Sequence, residues 1–144
     1  MKRTLFVLTA VTLGFVTPAA AGDKIYRGGT LLTENISGQP YWAVQAQCAG
    51  VYGAASTYLA DKGDAAGAEQ AKAMGVTFFR DAVTRVMKDR GVTKPAAIEA
   101  LSPTVISVRA DSLQNLQAEG NGPSSKWNFA RSACLDVRES YASN

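Results

Sequence analysis

The two cysteines of this chain, Cys48 and Cys134, each fall in the middle of an apolar helical seam, and this constrains the fold more than any other feature. Tyr41, Val44, Cys48, Val51, Ala55 and Tyr58 recur at spacings of three and four, as do Trp127, Ala130, Cys134, Val137 and Tyr141. Side chains on such seams face a core. Both sulfurs must therefore point inward, and a bond between them requires the two helices to be neighbours at mid-height. The first and last helices of an up-down-up-down four-helix bundle with short loops stand in that relation, antiparallel and adjacent.

The segments between the seams supply the other two helices. Lys62-Gly63 breaks the first helix, which the spacing places from Pro40 to Asp61, and Asp64 is a suitable N-cap for a second. Ala68, Ala71, Gly75, Phe78, Ala82, Val83 and Val86 line one side of helix 2, which ends with Lys88, Arg90 and then Gly91. Thr93, Lys94 and Pro95 open helix 3, with Ile98, Leu101, Val105, Val108, Leu113 and Leu116 on its apolar side. Pro103 removes a backbone donor, so a kink or break of helix 3 is expected there. Gly120-Asn121-Gly122-Pro123 marks a loop, and Ser124 or Ser125 can cap helix 4. Ala46, Gly50 and Ala54 would let a neighbouring backbone approach helix 1 closely. The expected fold is an all-α, four-helix up-down-up-down bundle over residues 40–144, preceded by an irregular, extended arm over residues 22–39. Ile25, Leu31, Leu32 and Ile36 of that arm are available for packing.

Residues 1–21 read as a secretory leader. Lys2 and Arg3 precede the apolar run from Leu5 to Val16, and Ala19-Ala20-Ala21 offers a small-residue cleavage site. The run is about 12 residues against the roughly 20 of a membrane span, so no membrane-spanning segment is expected. Removing 21 of 144 residues leaves 123, one domain's worth. The leader's bacterial character points to the periplasm, with secretion to the medium as the alternative. In such an oxidising compartment an even cysteine count argues for a Cys48–Cys134 disulfide.

Several chemistries are excluded. The chain has no histidine, which removes Ser-His-Asp and Cys-His machinery, histidine-ligated metals and haem attachment through C-x-x-C-H. Of 15 basic residues, Lys2 and Arg3 belong to the leader, leaving 13 against 12 acidic ones, with no basic patch or stripe of the kind nucleic-acid binding requires. The glycines form neither a phosphate loop nor a dinucleotide fingerprint. Asp61 to Asp64 lacks the alternating oxygen ligands of a calcium loop. Met74 and Met87 read as core filler. Glu69 with Lys72, Asp81 with Arg85, and Arg85 with Asp89 have the spacing of weak surface ion pairs, and Asp136 with Glu139 shares one side of helix 4. No cofactor and no catalytic residue is indicated, and the chain reads as a non-enzyme.

One feature bears on function. From Tyr41 to Ala60 helix 1 contains no charged residue, although an exposed helix normally carries charges on its solvent face. Trp42, Gln45, Tyr52, Thr57 and Leu59 lie beside the seam and form a possible interaction surface, with Gln45 and Thr57 facing outward. Either the arm folds over this helix or a partner covers it. The reading that follows is a soluble periplasmic protein binding another envelope macromolecule, in an accessory, chaperone-like or inhibitor role. The alternative is a carrier holding a small apolar ligand between the helices. The leader assignment is checked by intact mass of exported protein, which should begin at Gly22; a species retaining Leu5 to Val16 would show the leader to be an anchor.

Overall fold

A computed structural model describes residues 22–31 and 34–143. The expected leader and Leu32 lie outside the described residues. The fold is an all-α four-helix bundle of α1 (Tyr41–Asp61), α2 (Ala65–Arg90), α3 (Lys94–Glu119) and α4 (Lys126–Ala142).

The helix ends follow from their capping chemistry. Asp64 accepts from the Gly67 N–H at the start of α2. Gly91 ends that helix in the left-handed region, at φ 64°, where its N–H reaches the Met87 carbonyl. Ser125 caps α4 by accepting from the Asn128 N–H. Pro40 offers α1 no capping side chain, and the arm supplies what is missing: the Tyr41 N–H donates to the Lys24 carbonyl at 2.8 Å. Helix α3 runs through Pro103 without a break, so of the expected kink or break the break does not occur. Pro103 is exposed, so the carbonyl four residues earlier that loses its donor lies on a solvent-facing side where water can serve it.

Cys48 and Cys134 are bonded, with 5.6 Å between their Cα atoms, and both are completely buried. Closing a loop over a sequence separation of 86 stabilises the fold by at most about 4.5 kcal/mol on the chain-entropy account. The same helix pair is joined above and below the bridge: Tyr41 donates to Ser140 Oγ at 3.1 Å, and the Trp127 indole N–H to the Val51 carbonyl at 3.2 Å. These three contacts run in opposite order along the two helices, so α1 and α4 are antiparallel.

Helix α1 is the centre of the bundle and not merely one of four corners. It packs most extensively against α2, then α3, then α4, while α2 and α3 meet each other only sparingly. Trp42 and Ala46 share a cluster with Ala82, Val83 and Val86 of α2 and with Ala97 and Leu101 of α3. Further along α1, Gly50 lies against Val105 and Arg109. Hence α1 and α3 run in the same direction and touch, across what would be a diagonal in a square bundle. Gly50 permits this. A Cβ there would sit 2.8 Å from the Val105 carbonyl oxygen and 2.9 Å from Val108 Cβ. Gly53, one turn on, has room: its Cβ would meet Arg109 Cδ at 3.5 Å.

The arm, expected to be irregular and extended, contains two short paired strands. It forms a short antiparallel ribbon, β1 (Thr30–Leu31) with β2 (Glu34–Asn35), and then returns along its own beginning. The Tyr26 N–H donates to Gln39, the Gly38 N–H donates to Tyr26, and Ile25 pairs with Pro40. Ile36 is fully buried, as is Tyr26 at 2% exposure.

The two glycines give opposite expectations. Gly50→Ala overpacks the α1–α3 contact and should cost about 1–3 kcal/mol. Gly53→Ala should be neutral or stabilising by up to about 1 kcal/mol, because alanine favours the helix and meets no clash. Urea midpoints of the two variants, with the disulfide intact, check this.

Candidate functional site

The uncharged character of α1 has a third explanation beyond an arm or a partner: three helices and the arm together surround it. A helix apolar all round is a buried helix. Trp42, Gln45 and Tyr52, expected on an interaction surface, are 6%, 2% and 7% exposed, and only Thr57 and Leu59 are half-buried. Gln45 does not face outward. Spacing reveals one apolar stripe but not that the rest of the circumference is covered as well. Trp42 and Tyr52 are instead packing residues, the first donating its indole N–H to Asp23 at 3.2 Å, the second stacked on Phe78. Buried Gln45 Oε1 and Ser112 Oγ have no hydrogen-bond partner among the described residues.

Two concave places among the described residues bear on a binding role. The first lies where the arm meets α1 and α4, an open depression of about 510 Å³ lined by Lys24, Tyr26, Arg27, Tyr41, Asp136 and Ser140 among others. Its centre is the Tyr26 hydroxyl donating to the Asp136 carboxylate. A Cβ on Gly28 would collide with that hydroxyl and lie 2.8 Å from the carboxylate, so the arm passes directly over the pair. The Lys24 ammonium stands over the rings of Tyr41 and Tyr141, at 5.8 and 5.4 Å. Nearby ion pairs hold the arm's root. Asp23, its carboxylate fully buried, takes the Arg90 guanidinium at 2.8 Å, and Arg90 also lies over the Trp42 ring. Asp89 pairs with Arg85 at 2.9 Å and accepts the Lys24 backbone N–H. The spacing of Arg85 and Asp89 suggested a surface pair; the arm buries the Asp89 carboxylate to 3% exposure. Tyr26 and Lys24 in this depression, with Asp136 as the acceptor, are engaged in fastening the arm. The depression reads as a structural junction.

The second is a groove of about 310 Å³ between α2 and α3. These helices meet through Val83, Val86, Ala97 and Leu101 near their connecting turn and leave a gap further away. Small residues of α1, Ala49, Gly53 and Ser56, form its floor. Lys72, Gly75, Val76 and Phe79 of α2 make one wall, and Val105 and Arg109 of α3 the other. Val76 is 61% exposed on the α2 wall. Arg109 donates to Thr57 Oγ1 at 2.8 Å and makes no ion pair among the described residues. Thr57 and Arg109 were legible as polar residues, but nothing in the periodicity of α2 or α3 marks the groove, because it arises from the separation of two helices.

Among the described residues no group of three or more acidic or sulfur side chains is placed to hold a metal ion, and no helix is long and apolar enough to cross a membrane. No family model matches the chain, and neither do the curated proteins or the solved structures.

Burial first, and then the Asp136 carboxylate beside it, raises the Tyr26 phenol above its ordinary pKa. The folded protein therefore holds this proton where the unfolded chain has lost it. Tyr26 contributes stability that is fully present below about pH 10 and is lost as pH rises further. Between pH 9 and 11 the urea midpoint should fall more steeply in the wild type than in Tyr26→Phe, which lacks the titrating group; parallel profiles would contradict the assignment.

Proposed function

We propose that this chain is a non-enzymatic, exported protein of the bacterial periplasm that binds another macromolecule of the envelope, through the exposed α2–α3 side of the bundle. The leader-like sequence of residues 1–21 supports export, and the buried disulfide is compatible with an oxidising compartment. The observation that carries the binding reading is the groove itself: an open concavity with an apolar wall at Val76 and Phe79, whereas the depression beside the arm is built of residues that hold the arm. Ile106 of α3, at 67% exposure, adds a further apolar side chain to the solvent-facing surface of that helix. An open groove gives little support to a carrier, since small-ligand sites enclose most of their ligand.

Val76 and Ile106 are exposed, so changing them should leave the fold intact. Disulfide-intact wild-type protein should retain a specific macromolecule from envelope extract of its own host, and the Val76→Glu/Ile106→Glu variant should lose it while keeping its helical spectrum and urea midpoint. Retention of nothing by the wild type, or of the same species by both, would overturn this reading.

A further inference from the structure

We infer that the α2–α3 groove receives an acidic amphipathic helix of a partner protein, an apolar side chain resting on the Gly53 and Ser56 floor and carboxylates meeting Arg109 and Lys72. This rests on the binding reading above and names the chemistry of the partner.

Four observations lead there. First, the groove is open to solvent, so a free apolar ligand would remain partly in water; an occupant that brings its own surface closes it. Second, its walls are two helices whose backbone groups are satisfied internally, offering no strand edge to a peptide. What such walls accept is a helix, anchored by side chains at spacings of three and four. Third, the floor is shallow only in side chains. Ala49, Gly53 and Ser56 project little, and a Cβ on Gly53 would still have only ordinary contact with Arg109, so the space above them suits one or two inserted aliphatic or aromatic groups. Fourth, the lining contains two cations and no carboxylate. Among the described residues Arg109 is held in place by Thr57 with no acidic counterpart, and the acid on Lys72 is exposed Glu69 at 3.4 Å, a weak pair that a partner's carboxylate can displace. Like charge disfavours the chain's own leader as the occupant, since Lys2 and Arg3 would be brought toward both cations.

A photo-crosslinking residue, benzoylphenylalanine, placed at Val76 of the full chain in its own host tests this, with the same group at Phe129 of α4, 63% exposed, as reference. The adduct at position 76 should map by mass spectrometry to a helical segment carrying Asp or Glu within one turn of the crosslinked residue. The Lys72→Glu/Arg109→Glu variant should reduce its yield about tenfold or more, whereas Lys72→Arg should retain it. A neutral or basic segment, a lipid adduct, a second copy of this chain, or an acidic segment whose yield is indifferent to the charge reversal would each overturn the inference. Capture at position 129 with none at 76 would overturn it while leaving macromolecular binding standing; capture at neither position would remove both.

Discussion

A helix with no charge between Tyr41 and Ala60 has no side that water can solvate well, and the architecture is the solution to hiding it. Two neighbours would not suffice. The chain surrounds α1 with three helices and closes the remaining opening with the arm, so that thirteen of its 21 residues are buried. This burial decides the departure from a square bundle. To reach α1, α3 must lie beside it, and it can do so because Gly50 lets the two backbones approach. Bringing α3 onto α1 limits its contact with α2, and the groove between them is what remains of that missing contact. The concavity proposed as functional is thus a by-product of hiding the central helix.

The arm solves a smaller problem by the same logic. Pro40 starts α1 without a side-chain cap, at the end of the bundle where Trp42 and Tyr41 are large and need cover. The arm's carbonyl at Lys24 caps the helix, its Tyr26 packs edge-on against Tyr41 at 5.6 Å between ring centres, and Asp23 receives the Trp42 indole. Each of these contacts joins an otherwise weak local element to a residue of α1 or α4. The acidic groups involved, Asp23, Asp89 and Asp136, are paired with partners distant in sequence or drawn into the junction by the arm.

Local chemistry was readable from the residues, and long-range chemistry was not. Seam spacing locates all four helices, Asp64, Gly91 and Ser125 mark their ends, and the placement of Cys48 and Cys134 implies the bond that joins α1 to α4. These signals act within one turn or along one face. The burial of Gln45 is hidden from periodicity, which measures the contrast between two sides of a helix, and α1 has almost none. Tyr26 carries no signal of its role, since a lone tyrosine in a segment without periodicity gives no hint of a partner 110 positions away. Pro103 signals a lost donor, but whether that loss interrupts the helix depends on which side faces water. The α2–α3 groove depends on how far apart two helices are held by a third, a quantity encoded in Gly50 only once its neighbour is known.

The bond between Cys48 and Cys134 also sets an order of events. The chain is synthesised from its N-terminus, so the apolar α1 emerges early and the cysteine that locks it arrives almost last, in α4. Until then, α1 can be sheltered only by the arm, α2 and α3, and the side it will present to α4, with Cys48 and Val51, stays bare. The thiol is therefore accessible to oxidants and to wrong partners for as long as the chain is incomplete. Once α4 docks, both sulfurs are sealed from solvent and beyond the reach of a thiolate that would need to attack them. A link that is vulnerable while it is being made becomes, on completion, inert to exchange in the folded protein.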